Sequence, residues 1–415
     1  SSRRRHTRCS RDWSSDVCSS DLKIPYLGPD ATVGGQSCKI IGITVTQVIN
    51  GGSADSTTIY AIDQAYRLWT WGYNGNGECG IGNTTTPQTT PQLVTGISNV
   101  RMVVAGLYSA FAVTNAGQLY SWGYNNHGQL GTGNTTAYSS PQLITGMTNV
   151  YDIHTVMGSY YSGGWNYYYR TYVLKNNGEL YGTGYNGNGE LGNGNTTNQS
   201  AFTRCNPTLT FSQFTTTGSA VYCSVMAIGG VPGTPDGKLY AWGYNGNGQL
   251  GNASTTSSSS AVRPDTTCDQ TRNRTMTYLA GVLTNNPRVF PRDNIVKIAT
   301  FGYGESSSGF FVWDSTGRMY IIGYGYYMST YRNDQTGIAY TRPCLMPSPW
   351  SGEGGSPTPY TYDVIGWKTD TYEYSPSWSN WMQTSDGRIW WIGSNGDGQG
   401  SSDTNTNGRW QQWGM

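Results

Sequence analysis

The 415-residue sequence is poor in charged residues, in histidine and in long apolar runs. Asp, Glu, Lys and Arg together make up 12%, about half the share that is usual in globular domains, and the formal net charge is +1. A near-neutral chain with interspersed charges has no electrostatic footprint for nucleic acid or anionic lipid, so we expect no nucleic-acid partner. No run reaches about 18 apolar residues, so the sequence predicts no membrane-spanning helix.

Motifs for metal binding and catalysis are also missing. The six cysteines beyond the first residues include no CxxC pair and no histidine at ligand spacing, so we expect no zinc site, while buried free thiols and one or two disulfides stay open as alternatives. Beyond the first residues the histidines are His127 and His154, and neither has a Ser or Cys neighbour in a known catalytic motif. We therefore predict no catalytic residue, no metal and no cofactor.

Glycine, tyrosine and tryptophan are abundant instead, at 57, 32 and 15 residues. Aromatic residues bury large areas in folded proteins, and disordered chains are poor in them. The many aromatic residues of this sequence therefore predict an ordered fold. Frequent Gly, Ser, Thr and Asn between short aromatic segments indicate many strands joined by turns.

Residues 1–22 differ from everything downstream, with five Arg, two Cys and no apolar stretch. The missing apolar core argues against a secretory signal. The segment resembles translated sequencing-adapter read-through, in which case the native N-terminus is lost; a basic nucleic-acid-binding arm is the alternative. We expect 1–22 to be a non-native or disordered leader, 23–35 a linker and 36–415 the folded domain.

Internal repeats are the strongest signal. The segment from Gly117 to Gly133 reads GQLYSWGYNNHGQLGTG, and close copies begin at Leu68, Gly178 and Gly237. Weaker copies begin at Gly317 and Gly387. The glycines after the Trp position are Gly72, Gly123, Gly184, Gly243, Gly323 and Gly393, which are 51, 61, 59, 80 and 70 residues apart. A period near 50 with short alternating strands predicts propeller blades or another closed β array, because one such unit cannot bury its apolar faces alone.

Each copy predicts four strands. In the second copy these are 103–106, 110–113 and 119–122, followed by an edge strand that starts at Pro141, with Pro where it does least harm. Tight turns such as Asn177-Gly178, Asp236-Gly237 and Asp386-Gly387 join the second and third strands. We therefore predict an all-β propeller of six four-stranded antiparallel blades. A seventh divergent blade or a truncated chain stays open, and 409–413 is a candidate to pair with the first strand near 39–45.

The run W-G-x-N-x-x-G-Q-L-G-x-G, matched at Trp122–Gly133 and nearly so at 71–82 and 242–251, resembles the repeat of the regulator of chromosome condensation family. With its weaker copies the resemblance covers roughly 36–415. It implies a propeller, usually of seven blades, and a docking surface; the founding activity of the family is guanine nucleotide exchange on a small GTPase, and other relatives are protein-binding scaffolds.

The position after the motif glycine is Tyr in five of six copies, with Asn next to it in most of them. Equivalent positions of a propeller lie at one radius, so we predict a ring of tyrosines with asparagines beside it that binds a protein or a sugar. The alternative is a turn in which Asn caps its own backbone and Tyr packs on the next blade. The predicted binding residues are Tyr73, Tyr124, Tyr185, Tyr244, Tyr324, Asn74, Asn125, Asn186 and Asn245.

An aromatic insertion at 158–169 is a second candidate site. Tyr160, Tyr161 and Trp165 are rigid anchors among small residues, the mixture found in antibody loops, and insertions between propeller strands are expected to be loops. Aromatic packing over a blade edge is the alternative.

We therefore expect a binding propeller rather than an enzyme. The neutral Tyr/Asn/Ser/Thr surface favours a protein outside the cell or on a virus particle, of the adhesin or phage-tail type, that binds a surface glycan or a protein. The alternatives are a protein-docking regulator or inhibitor, including nucleotide exchange on a GTPase, and an enzymatic propeller with carboxylates around its channel.

Overall fold

The computed structural model describes residues 32–33, 36–37, 40–46, 57–161, 165–217, 222–267, 290–303, 307–325, 338–345, 364–370, 379–384, 389–393 and 411–413. These residues form strands and turns, and no helix among them could span a membrane. The chain divides into two compact units, 1–124 with 137–147, and 125–136 with 148–415.

The first unit contains one small sheet and two four-stranded antiparallel sheets. The small sheet pairs β1 (Thr32–Val33) with β2 (Gln36–Ser37). The first large sheet contains β3 (Ile40–Thr46), β4 (Thr58–Asp63), β5 (Leu68–Gly72) and β6 (Gln88–Leu93). The second contains β7 (Val100–Gly106), β8 (Ser109–Thr114), β9 (Leu119–Gly123) and β10 (Tyr138–Leu143).

The second unit contains four more such sheets among its described residues, each in chain order. The first two are β11 (Val150–Tyr161), β12 (Trp165–Lys175), β13 (Leu180–Gly184) and β14 (Gln199–Arg204), then β15 (Phe211–Thr216), β16 (Ser224–Val231), β17 (Thr234–Gly243) and β18 (Ser258–Val262). The last two are β19 (Ile295–Tyr303), β20 (Ser307–Asp314), β21 (Met319–Gly325) and β22 (Ile338–Leu345), then β23 (Val364–Asp370), β24 (Ser379–Thr384), β25 (Ile389–Gly393) and β26 (Gln411–Trp413).

The predicted fold class is confirmed. Six four-stranded antiparallel sheets in the described residues coincide with the six sequence copies, so each copy is one blade of a β-propeller fold. The tight turn at Asn177-Gly178 forms as expected between β12 and β13, with Gly178 at φ 81°, a region open to Gly at little steric cost. Asp236-Gly237 corrects the prediction: it lies inside β17 at a register shift with β16, and the turn between those strands is Pro232-Gly233. Asp386-Gly387 lies outside the described residues.

The edge prolines lie inside their strands rather than at the start, which corrects the prediction. Pro91 is the fourth residue of β6, and Pro141 is the fourth residue of β10. Both strands are sheet edges, and the register with β5 and β9 shifts beside each proline. A bulge in an edge strand tolerates a residue without an N–H donor, which explains why proline is accepted there.

β26 pairs with β25, with Trp413 opposite Ile389, and completes the sheet of its own copy. β3, which the sequence offered as its partner, pairs with β4. The pairing of 409–413 with 39–45 stays a prediction.

Apolar clusters fill the space between consecutive sheets within each unit. In the first unit Trp122 of β9 packs with Tyr60 of β4 and Val100 of β7. In the second unit Trp242 of β17 packs with Tyr172 of β12 and Phe211 of β15. A further cluster joins the β15–β18 and β19–β22 sheets around Phe310. Large rings that are completely buried contribute most of the hydrophobic stabilisation.

Candidate functional site

A buried asparagine organises each described motif turn. In the third copy the Asn186 Oδ1 accepts the Leu191 backbone N–H at 2.8 Å. Its Nδ2 donates to the carbonyl oxygens of Asn195 at 3.0 Å and Thr197 at 3.1 Å. The same side-chain contacts recur in the other copies at Asn74, Asn125 and Asn245.

All four asparagines have an exposed fraction of 0%. Their amides satisfy buried backbone groups of the turn, which is the capping arrangement that the sequence left open. Contact of these side chains with a partner stays a prediction.

The residue four positions after this asparagine is Glu or Gln, and its side chain folds back on the same turn. The Glu78 carboxylate accepts the Asn76 backbone N–H at 2.9 Å, and Gln129 accepts that of His127 at 3.0 Å. Glu190 and Gln249 repeat the contact. Burial raises the pKa of Glu78, although hydrogen bonds from Asn76 oppose the shift.

The motif tryptophans connect one copy to the turn of the copy before it. The Trp122 indole donates its Nε1–H to the Glu78 carbonyl oxygen at 2.6 Å, and Trp242 donates to that of Glu190 at 2.9 Å. The third copy has Thr183 at this position, and its hydroxyl donates to the Gly128 carbonyl oxygen at 2.8 Å.

The motif tyrosines, in contrast, are partly exposed. The Tyr185 side chain passes so close to Gly187 that a Cβ atom on Gly187 would lie 2.1 Å from the Tyr185 phenol oxygen. Tyr73 crosses Gly75, and Tyr244 crosses Gly246, in the same way. The glycines at these positions therefore make room for a ring that lies flat on the turn.

A second aromatic residue, from the same copy or from the next one, contacts several motif tyrosines. Tyr108 lies between Tyr73 and Tyr124 in the first unit, with ring centroids at 6.0 and 6.3 Å. In the second unit Tyr168 and Tyr185 are 4.5 Å apart, as are Tyr222 and Tyr244. Each unit therefore has clustered motif tyrosines of its own, and a single ring through all of the motif tyrosines stays a prediction. The Tyr324 side chain lies outside the described residues.

The third copy contains a buried ion pair under its tyrosines, which the sequence did not reveal. Arg170 and Glu190 are 1% and 0% exposed, and Arg170 Nη2 donates to Glu190 Oε1. Burial disfavours the charge on Arg170, but Glu190 holds the pKa of the guanidinium above its ordinary value. Arg170 Nε also donates to the Tyr185 carbonyl oxygen at 3.0 Å, and the guanidinium lies 5.1 Å from the Tyr185 ring centroid.

The other copies show what Arg170 replaces. Thr58 donates its hydroxyl to the Tyr73 carbonyl oxygen at 2.7 Å, and Ser224 donates to that of Tyr244 at 2.6 Å. Alignment of the second strands of the copies would have placed Arg170 opposite these small hydroxyl residues. That change of residue type is the signal that would have identified it.

His127 joins the same cluster from the turn 125–136. Its ring lies 6.0 Å from Tyr168, 5.7 Å from Tyr169 and 6.5 Å from Tyr185. Burial, followed by the charge of Arg170, lowers the pKa of His127. His127 is therefore a neutral part of an aromatic surface at physiological pH.

The other titratable side chains form no recognisable centre in the part of the chain that the structure describes. His154 pairs with Asp152 at 3.2 Å and packs on Phe214 with ring centroids 4.3 Å apart. No group of three or more His, Cys, Asp or Glu residues there is arranged to hold a metal ion.

The aromatic insertion is a strand pair and not a loop, which corrects the prediction. β11 and β12 are 12 and 11 residues long, and they pair continuously up to Tyr161 opposite Trp165, with Tyr160 opposite Asn166. Tyrosine and tryptophan have high strand propensity, so these residues extend the hairpin of their own sheet. The side chains of Tyr160, Tyr161 and Trp165 lie outside the described residues.

Sequence comparison identifies the repeats. Residues 67–113, 116–163 and 236–266 match the model of the regulator of chromosome condensation (RCC1) repeat, and 100–129 match a second model of the same description. The ultraviolet-B receptor UVR8 of Arabidopsis thaliana is 30% identical over 212 residues, which are 51% of this chain and 43% of that protein. The probable E3 ubiquitin-protein ligase HERC4 of Homo sapiens is 28% identical over 198 residues, 47% of this chain and 17% of that protein.

Solved structures share the fold at lower identity. Human WBSCR16 aligns with a TM-score of 0.56 and 15% identity over 86% of this chain and 80% of that one. Prp20p of Saccharomyces cerevisiae aligns with a TM-score of 0.51 and 16% identity over 91% and 77%. The chain spans less than half the length of the two curated relatives above.

Proposed function

We propose that this chain, a β-propeller built of RCC1-type repeats, is a protein-binding module without a catalytic site of its own. One observation carries the proposal: each described motif turn buries its asparagine and its Glu or Gln but leaves its tyrosine partly exposed. Hydrogen bonds within the turns explain the buried residues, but they do not explain the tyrosines. Tyrosine is enriched where proteins bind one another, because its ring contributes a large contact area and its hydroxyl a hydrogen bond.

The proposed binding surface consists of the tyrosine clusters on the motif turns. Tyr185 lies flat on Gly187, packs against Tyr168 and is backed by Arg170. Packing against Tyr168 and Arg170 lowers the rotamer entropy that the Tyr185 ring must lose on binding. Burial raises the pKa of Tyr185 and of Tyr244, so both phenols stay protonated at neutral pH and can donate a hydrogen bond.

Similar proteins support protein binding in general terms. The structure of Prp20p is described together with its binding to Gsp1p and histones, and yeast RCC1 (Prp20) is described bound to Kap60. The ligase activity in the name of HERC4 belongs to a protein of which this chain covers 17%. We therefore extend protein docking to this chain, and not ligase activity.

The location and the nature of the ligand are finer proposals. The near-neutral composition favours a protein outside the cell or on a virus particle, with a surface glycan as the other candidate ligand. A GTPase is the partner that the RCC1-type repeat suggests, since that repeat is shared with Prp20p.

The test replaces Tyr124, Tyr185 and Tyr244 together by Ala and measures binding to a panel of immobilised GTPases, histones and a glycan array. The matched control replaces Tyr66 and Tyr151, which are 41% and 50% exposed and lie away from the motif turns. We expect the triple variant to lose binding by about tenfold or more and the control to keep it. Equal binding by both variants would exclude the motif tyrosines as the site.

A further inference from the structure

The hairpin of β11 and β12 extends past the end of its sheet. β11 pairs with β12 along its whole length, to Tyr161 opposite Trp165. β13 reaches β12 only as far as Arg170 opposite Gly184, followed by one more hydrogen bond from the Tyr185 N–H to the Tyr169 carbonyl oxygen at 2.9 Å. In the second sheet, by comparison, the β7–β8 hairpin ends level with β9, at Ser109 opposite both Gly106 and Gly123.

The register defines which backbone groups of the extension are unpaired. Residues of an antiparallel strand direct their N–H and C=O groups alternately to one neighbour and to the other. Because Tyr169 directs its carbonyl to β13, the groups of Tyr167 and Trp165 point to the same side, beyond the point where β13 has ended. No other strand of the described residues pairs with β12 there.

This edge has none of the features that usually prevent strand addition. Proteins protect exposed edges with proline, with charged side chains or with a bulge. Residues 157–169 read MGSYYSGGWNYYY and contain no proline and no charge. The outer edges of the first two sheets, in contrast, have Pro91 and Pro141 beside a register shift.

Aromatic side chains lie next to the space that an added strand would occupy. A strand added next to Trp165 and Tyr167, at the usual spacing of about 4.8 Å, continues the line of β13 beyond Gly184. There it begins next to Tyr185 and Tyr168, with His127 close by. The buried charges below, Arg170 and Glu190, neutralise each other.

We infer that the β12 edge at 165–167 accepts an extended, uncharged segment of a partner protein as an additional strand. This inference rests on the proposed protein-binding function and locates it in the third copy. The partner's main chain hydrogen-bonds to Trp165 and Tyr167, and its side chains pack on Tyr185 and Tyr168. A charged segment is disfavoured, because its charges would lose water beside neutral rings without gaining a counter-ion.

The test selects binders for the full chain from a display library of short linear peptides and compares two substitutions at one position. Tyr167→Pro removes the outward N–H but breaks no bond to β11, whereas Tyr167→Ala removes the side chain and keeps the N–H. We expect Tyr167→Pro to weaken the selected peptides by about tenfold or more, the loss of at least one hydrogen bond, and Tyr167→Ala to change affinity less. Hydrogen exchange should slow at the Trp165 and Tyr167 amides when peptide binds.

The possible outcomes separate the inference from the proposed function. Equal loss in both Tyr167 variants, with unchanged thermal unfolding, would show side-chain recognition and overturn strand addition. Failure to select any peptide overturns it too. A dimer that Tyr167→Pro converts to monomer would show that the edge pairs with a second copy instead. Protein binding that needs the motif tyrosines but ignores Tyr167→Pro would leave the proposed function standing alone.

Discussion

The Trp242 indole donates a hydrogen bond to the carbonyl oxygen of Glu190, 52 residues earlier in the chain, at 2.9 Å. The same oxygen accepts the Tyr172 hydroxyl at 2.8 Å, so one backbone atom of the third copy is held by its own sheet and by the next sheet. In the first unit the Glu78 carbonyl oxygen accepts Tyr60 and Trp122 in the same way.

Replacing Trp242 by Phe should therefore destabilise the second unit. The variant loses the indole donor and leaves a cavity among buried side chains, which together cost about 2–4 kcal/mol. The control is Trp71→Phe at the matching position of the first copy, where the side chain is only partly buried. Urea denaturation followed by tryptophan fluorescence and circular dichroism measures the difference. Equal midpoints for the two variants would contradict the assignment.

Asn186→Ala should unfold the third motif turn at lower denaturant. The substitution removes three hydrogen bonds to backbone groups and leaves the Leu191 N–H and the Asn195 carbonyl oxygen without their side-chain partner, at a cost of about 2–4 kcal/mol. Asn115→Ala, at an exposed turn position, is the control and should change stability by no more than about 0.5 kcal/mol. Native-state hydrogen exchange at Leu191 provides a local readout of the same effect.

Glu78→Gln should change how stability depends on pH. Burial raises the pKa of Glu78 in the folded state. The contribution of Glu78 to folding stability is therefore most favourable below its unfolded-state pKa, and it declines as the pH rises through its folded-state pKa. Gln makes the same contact at Gln129 and Gln249 without titrating. The stability of the variant relative to the parent should therefore rise as the pH increases from below the unfolded pKa of a glutamate to neutral pH. A flat difference in denaturation midpoint over that range would refute it.

Arg170 and Glu190 should be strongly coupled. Arg170→Ser or Glu190→Gln alone leaves one buried charge without its counter-ion, which costs about 3–5 kcal/mol. The double variant recreates the fourth copy, where Ser224 and Gln249 occupy the two positions, and should recover most of the loss. A double-mutant cycle from urea midpoints measures the coupling. Additive losses would show that the pair does not act as a unit.

The buried thiols should resist alkylation in the folded protein. Cys79, Cys205 and Cys223 are free and 0% exposed. Burial raises the pKa of Cys79 to about 11 and that of Cys223 to about 12, so almost no thiolate forms near pH 8. Mass spectrometry after brief iodoacetamide treatment should find these three unmodified without denaturant and modified in urea. Rapid labelling of Cys223 in the folded state would contradict its placement.

Much of the fold was predictable because it repeats. The spacing of the motif glycines located six four-stranded sheets, and the GQLYSWG pattern located β9 with its buried Trp122. Local propensity and a period of two are short-range signals, and six copies reinforce them. The position of Pro141 was misjudged because a bulge depends on the neighbouring strand, which a single strand's sequence does not encode.

The site was less predictable because it depends on differences between the copies. The tyrosines and asparagines were found together, but the two residue types separate on folding: Asn186 is buried in the turn and Tyr185 remains partly exposed. Arg170 and Glu190 are 20 residues apart, and neither residue alone predicts an ion pair. Gly, Ser and Tyr at 158–169 are as typical of a recognition loop as of an extended hairpin, so composition could not decide between them.

The contact of a motif turn with the next copy has a consequence for how the gene of this protein evolves. The turn of one copy rests on the fourth strand of the next: Gly82, Gly133 and Gly194 donate their N–H groups to the carbonyl oxygens of Ser139, Ser200 and Ser259, each at 2.8 Å. A duplicated segment of one period therefore carries both a turn and a receiving strand. Unequal recombination can add or delete whole copies and keep the same contacts between copies. A break inside the period, in contrast, leaves a turn without the strand to which it donates its hydrogen bond. Blade number in this lineage should vary in whole units.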